Sequence, residues 1–466
     1  MIRRTLLACA LGGVTLLALR APGRDDTVWA EALQQQQTEL TLSLTNSSVK
    51  EKLGLPDFTV EVSDVELQGA SKTVADVLWS DLDFEEEFYM IPRTVSASVP
   101  VTSLLDALPY DRWAELGADG VIVGTARRSA NGWDVDIRLV GVKGDYAKKV
   151  VFGVEYHCTL PNPRLCAHYI SDDFHKKRRL LDGVARTKLA FTSDRDAERM
   201  SGRLIADSGQ GKEIYISDYD GANPQRITVN RSLNLGPAWS PDGRFLAYTS
   251  WVSGYPDIYV ASLFEVRAPT RPAGGTDKLQ NQLPAWSPDG MRLAFASNRS
   301  GNWDIWVVNR DGSGLRNVTH DPATDNAPVW SPNGAEIAFT SDRTGSNQIY
   351  VISSDGVGLD RLTSECPCDR PTWSPAPFND VAYTYGQGPG HDINIIDVAT
   401  KRVLTLTDGK GDNESPSFAP NGRHIAFTTT RYGKTQIAIV DRKGTIQRRV
   451  TDVGTNTYPS WSRSPQ

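Results

Sequence analysis

Much is scarce in this chain, and each scarcity excludes something. Among 466 residues there are five cysteines, four methionines and six histidines. His157, His168, His175, His320, His391 and His424 fall at unlike places and do not converge on one metal-binding position. No Gly-x-Ser-x-Gly nucleophile elbow, no His-Glu-x-x-His and no phosphate-binding loop occurs. Catalysis therefore lacks a recognisable centre, and the chain reads as a non-enzyme without cofactor or metal. Net charge is −6 and no basic stripe is present, which argues against nucleic acid as a partner. No apolar run spans a bilayer. The one hydrophobic stretch, Leu6 to Leu19 after Met-Ile-Arg-Arg, has the length and charged start of a secretory signal peptide over residues 1–21. Its cleavage site is open between Ala21 and Ala30, and Cys9 lies too near the start for a lipoprotein box. An exported chain makes disulfides of the remaining cysteines the favoured reading. Cys158 and Cys166 flank Leu-Pro-Asn-Pro, and Cys366-Pro-Cys368 could close a tight ring. Free thiols are the alternative, and a metal set would need His157 and His168 to join the first pair.

What is abundant is repetition. Pro-Ala-Trp-Ser-Pro-Asp-Gly at 237–243 returns at 284–290, and as Pro-Val-Trp-Ser-Pro-Asn-Gly at 328–334. Weaker copies start at Pro371, Pro416 and Pro459, so the anchors Trp239, Trp286, Trp330, Trp373, Phe418 and Trp461 recur every 43–47 residues. After each turn comes an apolar strand such as Leu246–Ser250 (LAYTS) or Ile337–Ser341 (IAFTS), then a third such as Asp257–Ala261 (DIYVA). A short fourth strand reads Arg-x-Thr, as in Arg226-Ile227-Thr228. Four period-two strands in about 45 residues, hinged on Asp-Gly or Asn-Gly, are one blade of a β-propeller. The two sets of six strands are offset: Leu189–Ser193 has no Pro-x-Trp before it, and Trp461 has nothing after it. Pairing these orphans closes a ring of six blades over residues 185–466 and removes the open edges. The tryptophans then serve as packing anchors between blades.

Residues 22–55, rich in Gln, Thr and Ser, read as a flexible tail. Residues 56–182 mix strands (Phe58–Val62, Gly120–Ala126, Trp133–Val140, Val150–Tyr156) with helices at Ser71–Phe84, capped by Ser71, at Tyr110–Leu116 and within Pro163–Leu181. They form a small α/β N-terminal domain, with Leu165, Tyr169 and Phe174 as core candidates. The acidic cluster Asp81, Asp83, Glu85, Glu86 and Glu87 reads as a solvated helix end, and Lys176 to Arg179 as a solvated face.

The partner surface follows from blade topology. Three residues before the repeat prolines stand Asn234, Asn281, Asp325, Cys368, Asn413 and Asn456, and the loops after the second strands carry Arg195, Arg299, Arg343 and Arg431. One face should present a polar ring inside an arginine ring, a candidate for docking because loops on a rigid scaffold usually carry function. The competing reading makes the same residues Asx turns and ion pairs between blades.

The Trp-Ser-Pro-Asp-Gly, Leu-Ala-Phe-Thr-Ser-Asp-Arg and Asp-Ile-Tyr-Val repeats resemble the TolB family of bacterial periplasmic proteins. Phe88-Tyr89-Met90-Ile91-Pro92-Arg93, Trp113-Ala114-Glu115-Leu116-Gly117-Ala118-Asp119-Gly120-Val121-Ile122-Val123-Gly124 and Gly183-Val184-Ala185-Arg186-Thr187-Lys188-Leu189-Ala190-Phe191 extend the resemblance across residues 56–466. It implies a periplasmic component of the Tol-Pal envelope system, peripheral to the membrane through its partners, that maintains the outer membrane during division. In that family the propeller binds the peptidoglycan-associated lipoprotein Pal over its channel mouth. The free N-terminal segment binds TolA, and certain colicins exploit the same surface. By position the Pal-contacting loops would include Asn234, Gln280, Asn281, Asp325, Asn413 and Asn456, with Arg299 and Arg343 on the same face. The longer Gln-rich tail and Cys366-Pro-Cys368 depart from the pattern. A propeller-bearing hydrolase or metal-dependent lyase is the alternative.

Overall fold

Alternating apolar residues, cut by Gly- and Pro-bearing turns, dictate most of what the computed structural model contains. It describes residues 50–159, 161–196, 211–364, 367–388 and 390–464. The expected signal peptide, nearly all of the expected tail, and Cys366 lie outside the described residues. Residues 52–466 make one compact unit. Among the described residues no helix is long and apolar enough to cross a membrane.

The N-terminal domain is a six-stranded sheet with helices. Its strands are β1 (Glu51–Gly54), β2 (Thr59–Val60), β3 (Phe88–Met90), β4 (Gly120–Ser129), β5 (Gly132–Gly141) and β6 (Val150–Cys158); its helices are α1 (Val65–Glu85), α2 (Arg93–Ser96), α3 (Tyr110–Glu115) and α4 (Pro163–Arg179). The sheet runs β3-β1-β4-β5-β6, with β2 also on β4. β1 and β2 are parallel to β4, while β4, β5 and β6 form an antiparallel meander. Residues 51–54 are thus sheet, although the sequence reading carried the tail to residue 55. The helix starts before Ser71 because Asp64 is the better cap: its Oδ1 accepts from the Leu67 N–H at 3.0 Å. Ser71 lies buried inside α1. In α4, Asn162 caps, Pro163 occupies the first turn, and Phe174 is buried, whereas Leu165 and Tyr169 are exposed. A disulfide joins Cys158 at the end of β6 to Cys166 in α4.

Residues 188–461 form six antiparallel sheets, one per blade. Blade 2 begins at Asn234–Trp239, blade 3 at Asn281–Trp286, blade 4 at Asp325–Trp330, blade 5 at Cys368–Trp373 and blade 6 at Asn413–Phe418. Blade 1 takes its inner strand, Asn456–Trp461, from the far end of the propeller and pairs it with Lys188–Ser193, in the register Asn456 to Ser193 and Trp461 to Leu189. The orphan strands therefore close the ring as the offset predicts. Blade 2 has three strands; the long segment after it meets its edge through the bridge Val260 to Thr270 and through Arg271 and Gly275, which both donate to Asp257.

The repeat residues explain themselves as blade chemistry. In the Ser-Pro-Asp-Gly turns the Ser240 and Ser287 hydroxyls donate to Asp242 and Asp289 at 2.5 Å, and Gly243 and Gly290 take φ of 67° and 69°. The indole N–H of three anchors reaches back one blade: Trp239 to the Ser460 carbonyl at 3.2 Å, Trp286 to Ala238 at 3.1 Å and Trp330 to Ala285 at 3.3 Å, whereas Trp373 donates to Asn379 Oδ1 at 3.1 Å and Trp461 to Thr187 Oγ1 at 2.7 Å. The fourth-strand threonines pin the start of the third strand. Thr363 Oγ1 accepts from the Ile349 N–H at 2.9 Å and donates to Gln348 at 2.8 Å.

Candidate docking face of the propeller

The channel has two mouths. One lies where inner strands begin, at Asn234 and its counterparts; the other lies at the Ser-Pro turns. At the first mouth the predicted polar ring is present but turned inward. Asn234, Asn281, Asp325, Cys368, Asn413 and Asn456 are all fully buried. Each asparagine is bonded to a residue within the first three of the preceding blade's third strand: Asn234 to Glu213 at 3.0 Å, Asn281 to Asp257 at 2.8 Å, Asn413 to Asp392 at 3.2 Å and Asn456 to Gln436 at 2.9 Å. A buried carboxylate needs such donors, and an amide at the next blade supplies one. Cys368 takes the ring position in blade 5 and is disulfide-bonded.

The arginine ring is equally internal. Arg299 lies over Phe295 and Trp306 and donates to Asn281 Oδ1 at 2.9 Å. Arg343 lies over Phe339 and Tyr350 and donates to both oxygens of Asp325, at 3.0 and 3.1 Å. Burial raises Asp325 above the ordinary carboxylate range, against the opposing pull of Ser341, Thr319 and Arg343. Of the residues assigned to partner contact, Gln280, Arg299 and Arg343 keep intermediate exposure and the others have none. The competing reading from sequence describes them: they fasten blades, because a ring of carboxylates in a β core must be paired.

The groups facing the mouth sit two residues further on, just before each repeat proline. Gly236, Leu283, Ala327, Arg370, Ser415 and Tyr458 all take positive φ, between 48° and 57°. Each inner strand shifts register at this point, a bulge that turns the residue toward the axis. The strained residue is held by the preceding blade. Leu283, Ser415 and Tyr458 donate their N–H groups to Thr249, Thr384 and Thr428 at 2.9, 3.0 and 3.1 Å. Blade 3 has Ala296 where those threonines stand, and Ala327 bonds instead to Asn326 Oδ1 at 2.8 Å. With their prolines these residues line a cavity of about 130 Å³. Inside it the Arg370 guanidinium stacks 4.5 Å from the Tyr458 ring and donates to its hydroxyl at 3.0 Å. The funnel thus mixes aliphatic, aromatic and cationic surface on a rigid rim.

At the opposite mouth the N-terminal domain is seated. A cavity of about 800 Å³ lies between α4 residues such as Tyr169 and Lys176 and the anchors Trp286, Trp330, Trp373, Phe418 and Trp461. Beside it the supposedly solvated acidic cluster does the joining, which corrects the sequence reading. Asp81 is buried, bonded to His168 Nδ1 and to the Tyr219 hydroxyl, each at 2.7 Å. Glu85 is buried too; it accepts from the Val184 N–H at 2.7 Å and from Arg423 at 2.5 Å. Burial pushes Glu85 up, but His175, Arg423 and His424 outweigh it and hold the carboxyl below its ordinary value. His424, stacked 4.6 Å from Phe84, is driven down to about 4, chiefly by burial and against the pull of Glu85.

The family model described as the TolB amino-terminal domain matches residues 49–146, and that of the TolB beta propeller domain matches residues 182–465. The chain belongs to the TolB family. The Tol-Pal system protein TolB of Bordetella avium is 35% identical over 393 residues, 84% of each chain, and that of Bordetella pertussis is 31% identical over 436 residues, 92% of each. The match to the protein of the same name from Desulfosudis oleivorans, at 32% identity, spans 200 residues, 42% of each chain. The fold is that of the crystal structure of TolB from Acinetobacter baumannii, with a TM-score of 0.72, 23% identity, and coverage of 89% of this chain and 97% of that one. Membership and fold both agree with the expectation drawn from the repeats.

In this TolB-family chain, the residues that sequence reasoning names at this mouth are the fastenings between blades rather than its exposed surface. The missed residues carry a visible signal. They are the variable letters before an invariant-looking proline, and a residue free to vary inside a strict repeat faces away from the repeat's own packing.

Proposed function

We propose that this chain is a periplasmic, non-enzymatic component of the Tol-Pal system that docks the peptidoglycan-associated lipoprotein Pal over the funnel at Leu283, Arg370 and Tyr458. On this reading its N-terminal tail engages TolA, and the assembly keeps the outer membrane joined to the cell wall during constriction. The relatives' name, Tol-Pal system protein TolB, supports the system. The observation that carries the choice of face is where the N-terminal domain sits. Among the described residues its bonds to the propeller land on the Ser-Pro side, at Asp218, Tyr219, Asp220, Asn421, Arg423 and Arg448. Among the described residues no such bond from the N-terminal domain is made at the opposite mouth, which supports that mouth as the docking face. A rigid rim with a stacked Arg–Tyr pair at its centre has the composition of an interface hot spot.

The test is calorimetric titration of the chain with the soluble domain of a peptidoglycan-associated lipoprotein. Arg370→Glu and Tyr458→Ala should each weaken binding at least about ten-fold, the usual scale for central anchors. Lys176→Ala, at the covered mouth, should leave it unchanged. Absence of binding, or sensitivity to Lys176→Ala alone, would refute the proposal.

A further inference from the structure

Blade 5 departs from blades 2 to 4 at its rim. Its second and third strands, Asp380–Gln387 and Gly390–Asp397, run eight residues each, where the equivalents in blade 3 run six. The extension carries His391 alongside the loop that leads into blade 6. There Asp412 and Glu414 flank Asn413, whose own side chain is committed to Asp392 below. Residues two apart on an extended chain point the same way, so both carboxylates face His391. His391 Nδ1 lies 2.6 Å from Asp412 Oδ1 and 3.3 Å from Glu414 Oε1. One donor atom from each of the three lies within 4.8 Å of the others.

Two further observations mark this as more than a hydrogen-bonded pair. No other blade carries a histidine, or carboxylates on both sides of the ring residue, at these repeat positions. The rest of the ring thus serves as an internal comparison: the fold does not need these groups. Second, among the described residues neither Asp412 nor Glu414 pairs with a lysine or arginine. The cations nearby in sequence, Lys410 and Arg431, are spent on Asp408, at 3.1 and 3.0 Å. Two carboxylates converge on one imidazole, with Arg370 reaching Glu414 only through its longer-range charge, and each side chain keeps about two-fifths exposure (40%, 42% and 40%). The ligand positions are fixed by backbone bonds. The Asp412 N–H donates to Thr430 Oγ1 at 2.8 Å, and the His391 N–H donates to Asp412 Oδ1 at 2.9 Å.

We propose that His391, Asp412 and Glu414 bind a divalent first-row transition metal, with Zn²⁺ preferred. One imidazole nitrogen and two carboxylate oxygens suit Zn²⁺ or Mn²⁺, whereas Ca²⁺ and Mg²⁺ take oxygen donors. Ligand bonds of about 2.0–2.2 Å put tetrahedral donors about 3.4 Å apart; the His391–Glu414 pair at 3.3 Å already fits, the His391–Asp412 pair at 2.6 Å must open by less than about 1 Å, and the two carboxylates, within 4.8 Å of each other, must close by less than about 1.5 Å. The Irving–Williams order places Zn²⁺ above Mn²⁺. Three protein ligands leave a fourth position for water or for a side chain of a docked molecule. The ion would tie the third strand of blade 5 to blade 6 at the open mouth. This inference does not depend on the identity of the partner.

The full chain, stripped of metal and carrying no affinity tag, is titrated with ZnCl₂ by calorimetry at pH 7.5, with Co²⁺ absorption as a second readout. One equivalent should bind. His391→Ala and Glu414→Gln should each weaken binding at least about ten-fold, the lower limit even for groups that only support a ligand. His157→Ala should change nothing; His157 is the comparable exposed histidine, 2.8 Å from Asp134. The site is overturned by no binding at millimolar Zn²⁺, by equal affinity in either the His391 or the Glu414 variant, or by loss in the His157 variant.

Discussion

Acidification should loosen the joint between the N-terminal domain and the propeller, and His424 sets how much. The unfolded chain takes up a proton on this side chain near 6.5, whereas in the fold burial delays protonation to about 4. The native state therefore binds fewer protons than the unfolded state between those values, and stability falls as pH falls through them. At about 1.4 kcal/mol per pH unit the full interval amounts to about 3 kcal/mol, of which about 2 kcal/mol is lost by pH 5. His168 has the opposite sign. Burial pulls it down, but Asp81 outweighs burial and raises it, so its contribution is complete in acid and is lost as pH rises through its folded value. Comparing His424→Phe with the parent cancels that term. Phenylalanine keeps the stack on Phe84 and cannot titrate. Urea unfolding followed by tryptophan fluorescence at pH 7.5 and 5.0 should show the parent losing about 2 kcal/mol more than the variant. Equal losses in both proteins would show that His424 is not held neutral, and the reasoning would fail.

Glu85→Ala removes the carboxylate shared by Arg423 and the Val184 N–H, and should cost about 3–5 kcal/mol, the usual penalty for breaking a buried pair; limited proteolysis between residues 180 and 187 should accelerate, and an unchanged cleavage rate would count against the joint. Asn281→Ala leaves buried Asp257 short of a donor and should cost about 1–3 kcal/mol in unfolding experiments, yet leave lipoprotein affinity as it is, since the side chain is internal.

How much was legible depends on whether a residue answers to its own repeat or to something outside it. Blade number, strand order and ring closure followed from the spacing of Trp239 through Trp461 and from the unmatched strand at Leu189. The turns were legible because Asp-Gly dictates positive φ locally. Asp81 and Glu85 look like solvent-loving acids until blade 6 and the linker bring Arg423 and Val184 to them. Asn281 and Arg343 recur like surface loops, but recurrence also marks whatever each blade needs from the next. Arg370 and Tyr458 were passed over because a β-bulge, invisible in period-two patterning, rotates them toward the axis. Ser71 is no cap because the buried positions Leu67 and Ala70 already belong to the helix, which begins after Asp64. The metal-ligating trio is split between two blades, and only the lengthened hairpin of blade 5 brings it together.

The closing strand has a consequence for how the molecule comes to exist. Lys188–Ser193 is among the first propeller residues to be made, and its partner Asn456–Trp461 is among the last. Until that partner arrives, blade 1 offers an unpaired edge and the other five blades can only form an open arc. Completion of the ring therefore acts as a length check on synthesis: a chain interrupted anywhere before residue 456 cannot finish its first blade. Pairing across so great a separation is slow to form. A nascent copy therefore gains the full rigidity of the ring only once its last propeller strand has been made.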